Sequence, residues 1–91
     1  MASVIVTLRI MPSSPDVDLS ALEIEASDLI SGFGGRVDKS EVQPIAFGLK
    51  ALVLHFIMDE KKGSTDKLES DISKIDCVNG VEVIDVRRAI G

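Results

Sequence analysis

Covalent or metal chemistry in this 91-residue chain would have to begin with its single histidine, His55, and its single cysteine, Cys77. They fall on different predicted elements, whereas a triad, a thiolate–imidazole pair or a zinc centre needs several groups converging on one point. His55 lies mid-strand, where a histidine ordinarily serves as a sheet-face residue. One cysteine excludes an intramolecular disulfide and any cysteine-built metal site, so Cys77 is expected to be a small hydrophobe in a reducing compartment. Asp16, Asp18, Asp59 and Glu60 sit in loops or at a helix start, where capping and solvation account for them. Gly32-Phe33-Gly34-Gly35 follows a helix, whereas a phosphate loop places its glycines between a strand and a helix N-terminus. No catalytic residue, metal ligand or cofactor is assigned, and the expectation is a protein that works by binding.

Two segments stand out as contacts. Pro44-Ile45-Ala46-Phe47-Gly48-Leu49-Lys50 is an apolar turn between strands, where small polar residues are the usual choice. Asp85-Val86-Arg87-Arg88 puts two cations near the chain end of an acidic protein; the alternative role for them is to keep a sheet edge soluble.

The elements that would carry these segments follow from periodicity. Ser3 to Met11 alternates as a strand, with Val4, Val6, Leu8 and Ile10 on one side, and the prolines of Met11-Pro12-Ser13-Ser14-Pro15 then impose a loop. From Asp18 the period becomes helical: Leu19, Leu22, Ala26, Leu29 and Ile30 form a stripe, Asp18 is the N-cap, Gly32 the stop, and Ile24 falls off the stripe. Gly34-Gly35 is a turn, and Arg36 to Val42 is an edge strand closed by Pro44. Gly48 to Met58 is apolar at nearly every position and belongs inside the sheet. Its Leu52, Leu54, Phe56 and Met58 are expected under helices, leaving Ala51, Val53 and Ile57 on an open face. Asp59-Glu60-Lys61-Lys62-Gly63 is a charged turn. Ser64 or Thr65 caps a short helix bearing Leu68, Ile72 and Ile75, Asn79-Gly80 marks a turn, and Val81 to Arg88 is the last strand.

Strand, helix, strand, strand, helix, strand is the order of a ferredoxin-like βαββαβ sandwich. This is an α+β fold with two helices on one face of a four-stranded antiparallel sheet. The length fits one domain over residues 1–91. The net charge of −5 and the three Phe without Tyr or Trp oppose direct nucleic-acid binding, which favours a basic face and aromatic platforms. The apolar run from Ala51 to Met58 is too short to cross a bilayer and the N-terminus lacks an export signal, so a cytoplasmic location is expected.

The opening strand with Met11-Pro12-Ser13-Ser14-Pro15-Asp16-Val17-Asp18-Leu19, the segment Pro44 to Leu49, and the ending Val81-Glu82-Val83 through Asp85-Val86-Arg87-Arg88 together resemble the translation elongation factor 1-beta family. The similarity is to its short archaeal form, which consists of the exchange domain alone. The resemblance implies a ferredoxin-like fold and guanine-nucleotide exchange on elongation factor 1-alpha, without covalent chemistry. It also implies that a basic residue near the C-terminus reaches toward the magnesium and phosphate region of the GTPase; here Arg87 and Arg88 replace the eukaryotic lysine. Pro44, Ile45, Phe47, Gly48, Lys50, Arg87 and Arg88 are the partner-binding residues expected on this basis, in a monomer. A small-molecule sensor of the same fold would carry a glycine turn where this chain has prolines. An acylphosphatase-type enzyme would need cations between Met11 and Pro15, and a homodimer joined through open sheet faces is the remaining alternative.

Overall fold

The computed structural model describes residues 2–89. Strand β1 (Ser3–Pro12) leads to helix α1 (Leu19–Phe33), then β2 (Arg36–Pro44), β3 (Lys50–Asp59), a 3-10 turn (Glu60–Lys62), α2 (Asp66–Ser73) and β4 (Val78–Ala89). The strands form one sheet in the order β2-β3-β1-β4, and every neighbouring pair is antiparallel. The fold expected from the sequence is the fold observed.

One face of the sheet packs under both helices. Val6, Leu8 and Ile10 of β1 and Leu52, Leu54, Phe56 and Met58 of β3 are buried with Leu22, Ala26 and Ile30 of α1 and Leu68 and Ile72 of α2. The period-2 and helical stripes meet as their spacings require. Asp18 caps α1 by accepting from the backbone N–H groups of Ser20 (3.0 Å) and Ala21 (3.3 Å). The helix passes the anticipated stop at Gly32 and ends where Gly34 donates back to the carbonyls of Ile30 and Ser31. Ile24, which fitted no stripe, points to solvent.

Three expectations need correction. Asn79-Gly80 is not a turn but part of β4, because Gly80 pairs with Met11 and Val78 with Pro12, across an irregularity in the ladder. β1 likewise runs through Met11 to Pro12 instead of breaking at Met11, since proline is tolerated at the terminal residue of a strand. Ala51 and Val53 face away from the helices, yet they are buried. In the ladder Ala51 is paired with Gln43, while Val53 lies between Glu41 and Arg9. The aliphatic stems of such long neighbours shield small side chains on a sheet face.

Strand β4 changes phase once. Its register slips between Thr7 and Leu8, so that Thr7 faces Asp85, Leu8 faces Val83, and Ile84 is the extra residue. This bulge puts Val81, Val83, Val86 and Arg88 opposite the helix-side residues of β1, and Asp85 and Arg87 opposite its open-side residues. Uninterrupted alternation from Val81 would have sent Asp85 and Arg87 toward the core.

Candidate partner-binding site

The connection between β2 and β3 is where the backbone departs furthest from ordinary loop chemistry. Pro44, the last residue of β2, is paired with Lys50, the first of β3, and both are exposed. Across the loop mouth the Ile45 N–H donates to the Leu49 carbonyl, and the Leu49 N–H donates to the Ala46 carbonyl, each at 2.9 Å. The two central residues of this inner turn, Phe47 and Gly48, have φ of 53° and 79°. Consecutive positive φ values mark the I′ class, which favours Asn, Asp or Gly at both positions. Phe47 is instead the one non-glycine residue with positive φ among the described residues.

That placement is costly twice over. A left-handed conformation costs an L-residue about 1–2 kcal/mol, and the Phe47 ring is 98% exposed, so burial offsets none of it. Ile45, at the loop entrance, is 42% exposed. A strained, bonded turn that holds an aromatic ring in water is not accounted for by the stability of the loop itself. Lys50 and Gly48 also border a hollow shared with Pro12, Pro15 and Asp18, next to the proline loop.

The two arginines lie at the other end of the sheet. Arg87 is opposite Ile5 and Arg88 opposite Val4, whereas the loop adjoins the end of β3 that pairs with Ile10 of β1. The ten residues of β3 separate the two regions by about 30 Å at the usual rise per residue. The structure therefore gathers Pro44, Ile45, Phe47, Gly48 and Lys50 into one loop region and sets Arg87 and Arg88 apart from it. Adjacent strand residues point to opposite faces, so the arginines also diverge from each other. Arg87 Nε donates to Asp85 Oδ2 at 2.8 Å on the open side. Arg88, on the helix side, donates from Nε (3.1 Å) and Nη2 (2.7 Å) to Oε2 of Glu60.

Sequence reasoning did not find a polar relay that crosses three strands of the open face. Thr7 Oγ1 and His55 Nδ1 are 3.1 Å apart, and His55 Nε2 and Glu41 Oε2 are 2.8 Å apart. The hydrogen bond from His55, reinforced by Lys39 nearby, holds the Glu41 carboxyl below its ordinary value. Thr7 is buried, and His55 is half-buried. Only the pairing register, which is non-local, brings these residues together. Cys77 is half-buried and packs against the core as a small apolar side chain. Among the described residues no group of three or more His, Cys, Asp or Glu is placed to hold a metal ion, and no helix is long and apolar enough to cross a membrane.

The distinctive features of this α+β module are thus an exposed aromatic loop and, apart from it, a pair of exposed arginines. A family model described as the EF-1 guanine nucleotide exchange domain matches residues 5–89, and the chain belongs to that family. It is similar to elongation factor 1-beta of Methanothermobacter thermautotrophicus, with 42% identity over 88 residues covering 97% of this chain and 98% of the relative. Elongation factor 1-beta of Methanobrevibacter smithii is 43% identical over the same shares, and that of Archaeoglobus fulgidus 42% identical over 94% of this chain and 97% of its own. The chain is thus a guanine-nucleotide exchange factor of translation elongation. Among solved structures, the C-terminal domain of the MgtC protein from Mycobacterium tuberculosis superposes with a TM-score of 0.64 at 12% identity, covering 98% of this chain and 88% of that one. The ACT domain from GTP pyrophosphokinase of Chlorobium tepidum gives 0.61 at 17%, covering 90% and 99%. These two share the fold alone.

Proposed function

We propose that this chain, as one monomeric exchange domain over residues 1–91, promotes GDP release from and GTP loading of elongation factor 1-alpha in the cytoplasm. It does so by contact, without covalent chemistry and without binding nucleic acid or a membrane directly. Phe47 and Ile45, with Pro44, Gly48 and Lys50 shaping their loop, anchor one part of the GTPase. Arg88, or Arg87 beside it, reaches the magnesium and phosphate region at a separate place. The observation that carries this assignment is the exposed Phe47 ring on its strained, hydrogen-bonded turn.

Such a factor needs no reacting group. Binding free energies are linked reciprocally, so a protein that grips the empty GTPase more tightly than the loaded one weakens nucleotide by the same factor. A thousandfold weakening corresponds to about 4 kcal/mol of differential binding. A desolvated aromatic anchor contributes about 2 kcal/mol or more to the grip itself, and the difference between the two states comes from a cation that, beside the bound magnesium, disfavours the loaded one electrostatically. The test is release of a fluorescent GDP from elongation factor 1-alpha on addition of this protein. Acceleration that saturates with factor concentration is expected; an unchanged release rate at saturating factor rejects the proposal.

A further inference from the structure

The turn after β3 holds a carboxylate that solvation alone does not explain. Glu60 sits among Asp59, Lys61 and Lys62, yet its side chain pairs with Arg88, remote in sequence. Its backbone is fixed from several sides. The Glu60 N–H donates to the Ala2 carbonyl at 3.1 Å, the Lys61 N–H donates to Asp59 Oδ1 at 2.9 Å, and the Gly63 N–H donates to the Glu60 carbonyl at 3.2 Å. Arg88 is held by β4 opposite Val4. Both partners are thus referred to the start of β1, one through Ala2 and the other through Val4. Arg87 is paired differently: its carboxylate, Asp85, stands two residues away on the same strand and is met by Nε.

We propose that Glu60 is a positioning residue for nucleotide exchange, holding the Arg88 guanidinium in one direction before the GTPase docks. This rests on the role given above to Arg88. A solvent-exposed arginine samples many rotamers, and docking must otherwise order it at an entropic cost. Nε and Nη2 of Arg88 both meet the single oxygen Oε2, which turns that edge of the guanidinium toward Glu60. Among the described residues, Nη1 of Arg88 and Oε1 of Glu60 have no other partner, so the cation keeps a donor for the GTPase.

The test is the rate of fluorescent GDP release from elongation factor 1-alpha with wild-type protein, Glu60→Gln, Arg88→Ala and the double variant, alongside their melting temperatures. Glu60→Gln should slow exchange roughly fivefold, which is about 1 kcal/mol at 1.4 kcal/mol per tenfold, with little change in melting. In the Arg88→Ala background the same substitution should have no further effect, because its target is gone. The charge swap Glu60→Arg with Arg88→Glu restores a pair but not the direction of the cation, and should stay slow. Undiminished exchange by Glu60→Gln beside a slow Arg88→Ala overturns the positioning role while leaving Arg88 in the mechanism. Faster exchange by Glu60→Gln overturns it as well, since Glu60 would then restrain the arginine. A slowing by Glu60→Gln that persists undiminished without Arg88 reduces Glu60 to a structural part of its turn. Wild-type exchange by Arg88→Ala removes the arginine itself, and the positioning role with it.

Discussion

At one end of the sheet an aromatic ring stands in water on a backbone that opposes it; at the other, about 30 Å away along β3, an arginine is held by a carboxylate from a tightly bonded turn. The first region stores conformational strain and offers apolar area. The second stores none in its arginine and offers directed charge. Anchors of the first kind set affinity through desolvation and are nearly indifferent to salt, whereas those of the second act through fields that salt screens. A factor that must grip one state of a GTPase and reject another can divide the labour in this way: the loop holds on, and the cationic end discriminates.

The contrast is broken or sharpened most strongly at Phe47. Phe47→Ala should weaken binding to nucleotide-free elongation factor 1-alpha by about 2–4 kcal/mol, measured by titration calorimetry at low and high salt, with nearly the same loss in both. Its thermal stability should stay within about 0.5 kcal/mol of wild type, since the ring touches no core. A large loss of stability would make Phe47 a packing residue instead.

Each region also contains one glycine that its backbone requires, and the two should differ. Gly63, after the charged turn, has φ 73° and ψ −128°, outside the left-handed helical basin, while Gly48 has φ 79°. A Cβ at either position would meet no atom within 4 Å, so any cost is conformational. Gly63→Ala should cost about 1–3 kcal/mol, and Gly48→Ala about 1 kcal/mol, both read from denaturant unfolding. Equal costs would erase this difference between the turns.

The smallest effect lies between the two regions, in the Thr7–His55–Glu41 relay. The Glu41 carboxyl should titrate below its ordinary value of 4.5 in carbon-detected NMR, and His55→Ala should move it back up. Because the folded-state value is the lower one, the stabilising contribution is present above the unfolded value and is lost as pH falls through the folded one. A Glu41 titration unchanged by His55→Ala would remove the relay as the cause.

Much of this was legible in the chain. The larger side chains on one parity of β3, with His55 on the other, named its buried side, and the helical stripes named theirs, because each pattern lies within one element. The exposed Phe47 was foreseeable as an apolar residue in a position that favours polar ones. What depends on pairing register was not legible. Asn79-Gly80 has the local chemistry of a turn and lies in a strand because Met11 and Pro12 supply its partners. The bulge at Ile84, which decides that Arg88 and not Arg87 faces Glu60, reverses the side that simple alternation assigns. The relay joins residues from three strands, and the burial of Val53 depends on Arg9 and Glu41 from its two neighbours. Nor does anything local to the loop or to the arginines tell that they stand at opposite ends of the sheet.

The central claim is differential grip, and it is tested most directly by measuring the affinity of this protein for elongation factor 1-alpha twice, once stripped of nucleotide and once loaded with magnesium and GDP. A far smaller dissociation constant for the empty form is predicted, with the gap narrowing when Arg87 and Arg88 are both changed to Ala. Equal affinity for the two forms would contradict the account.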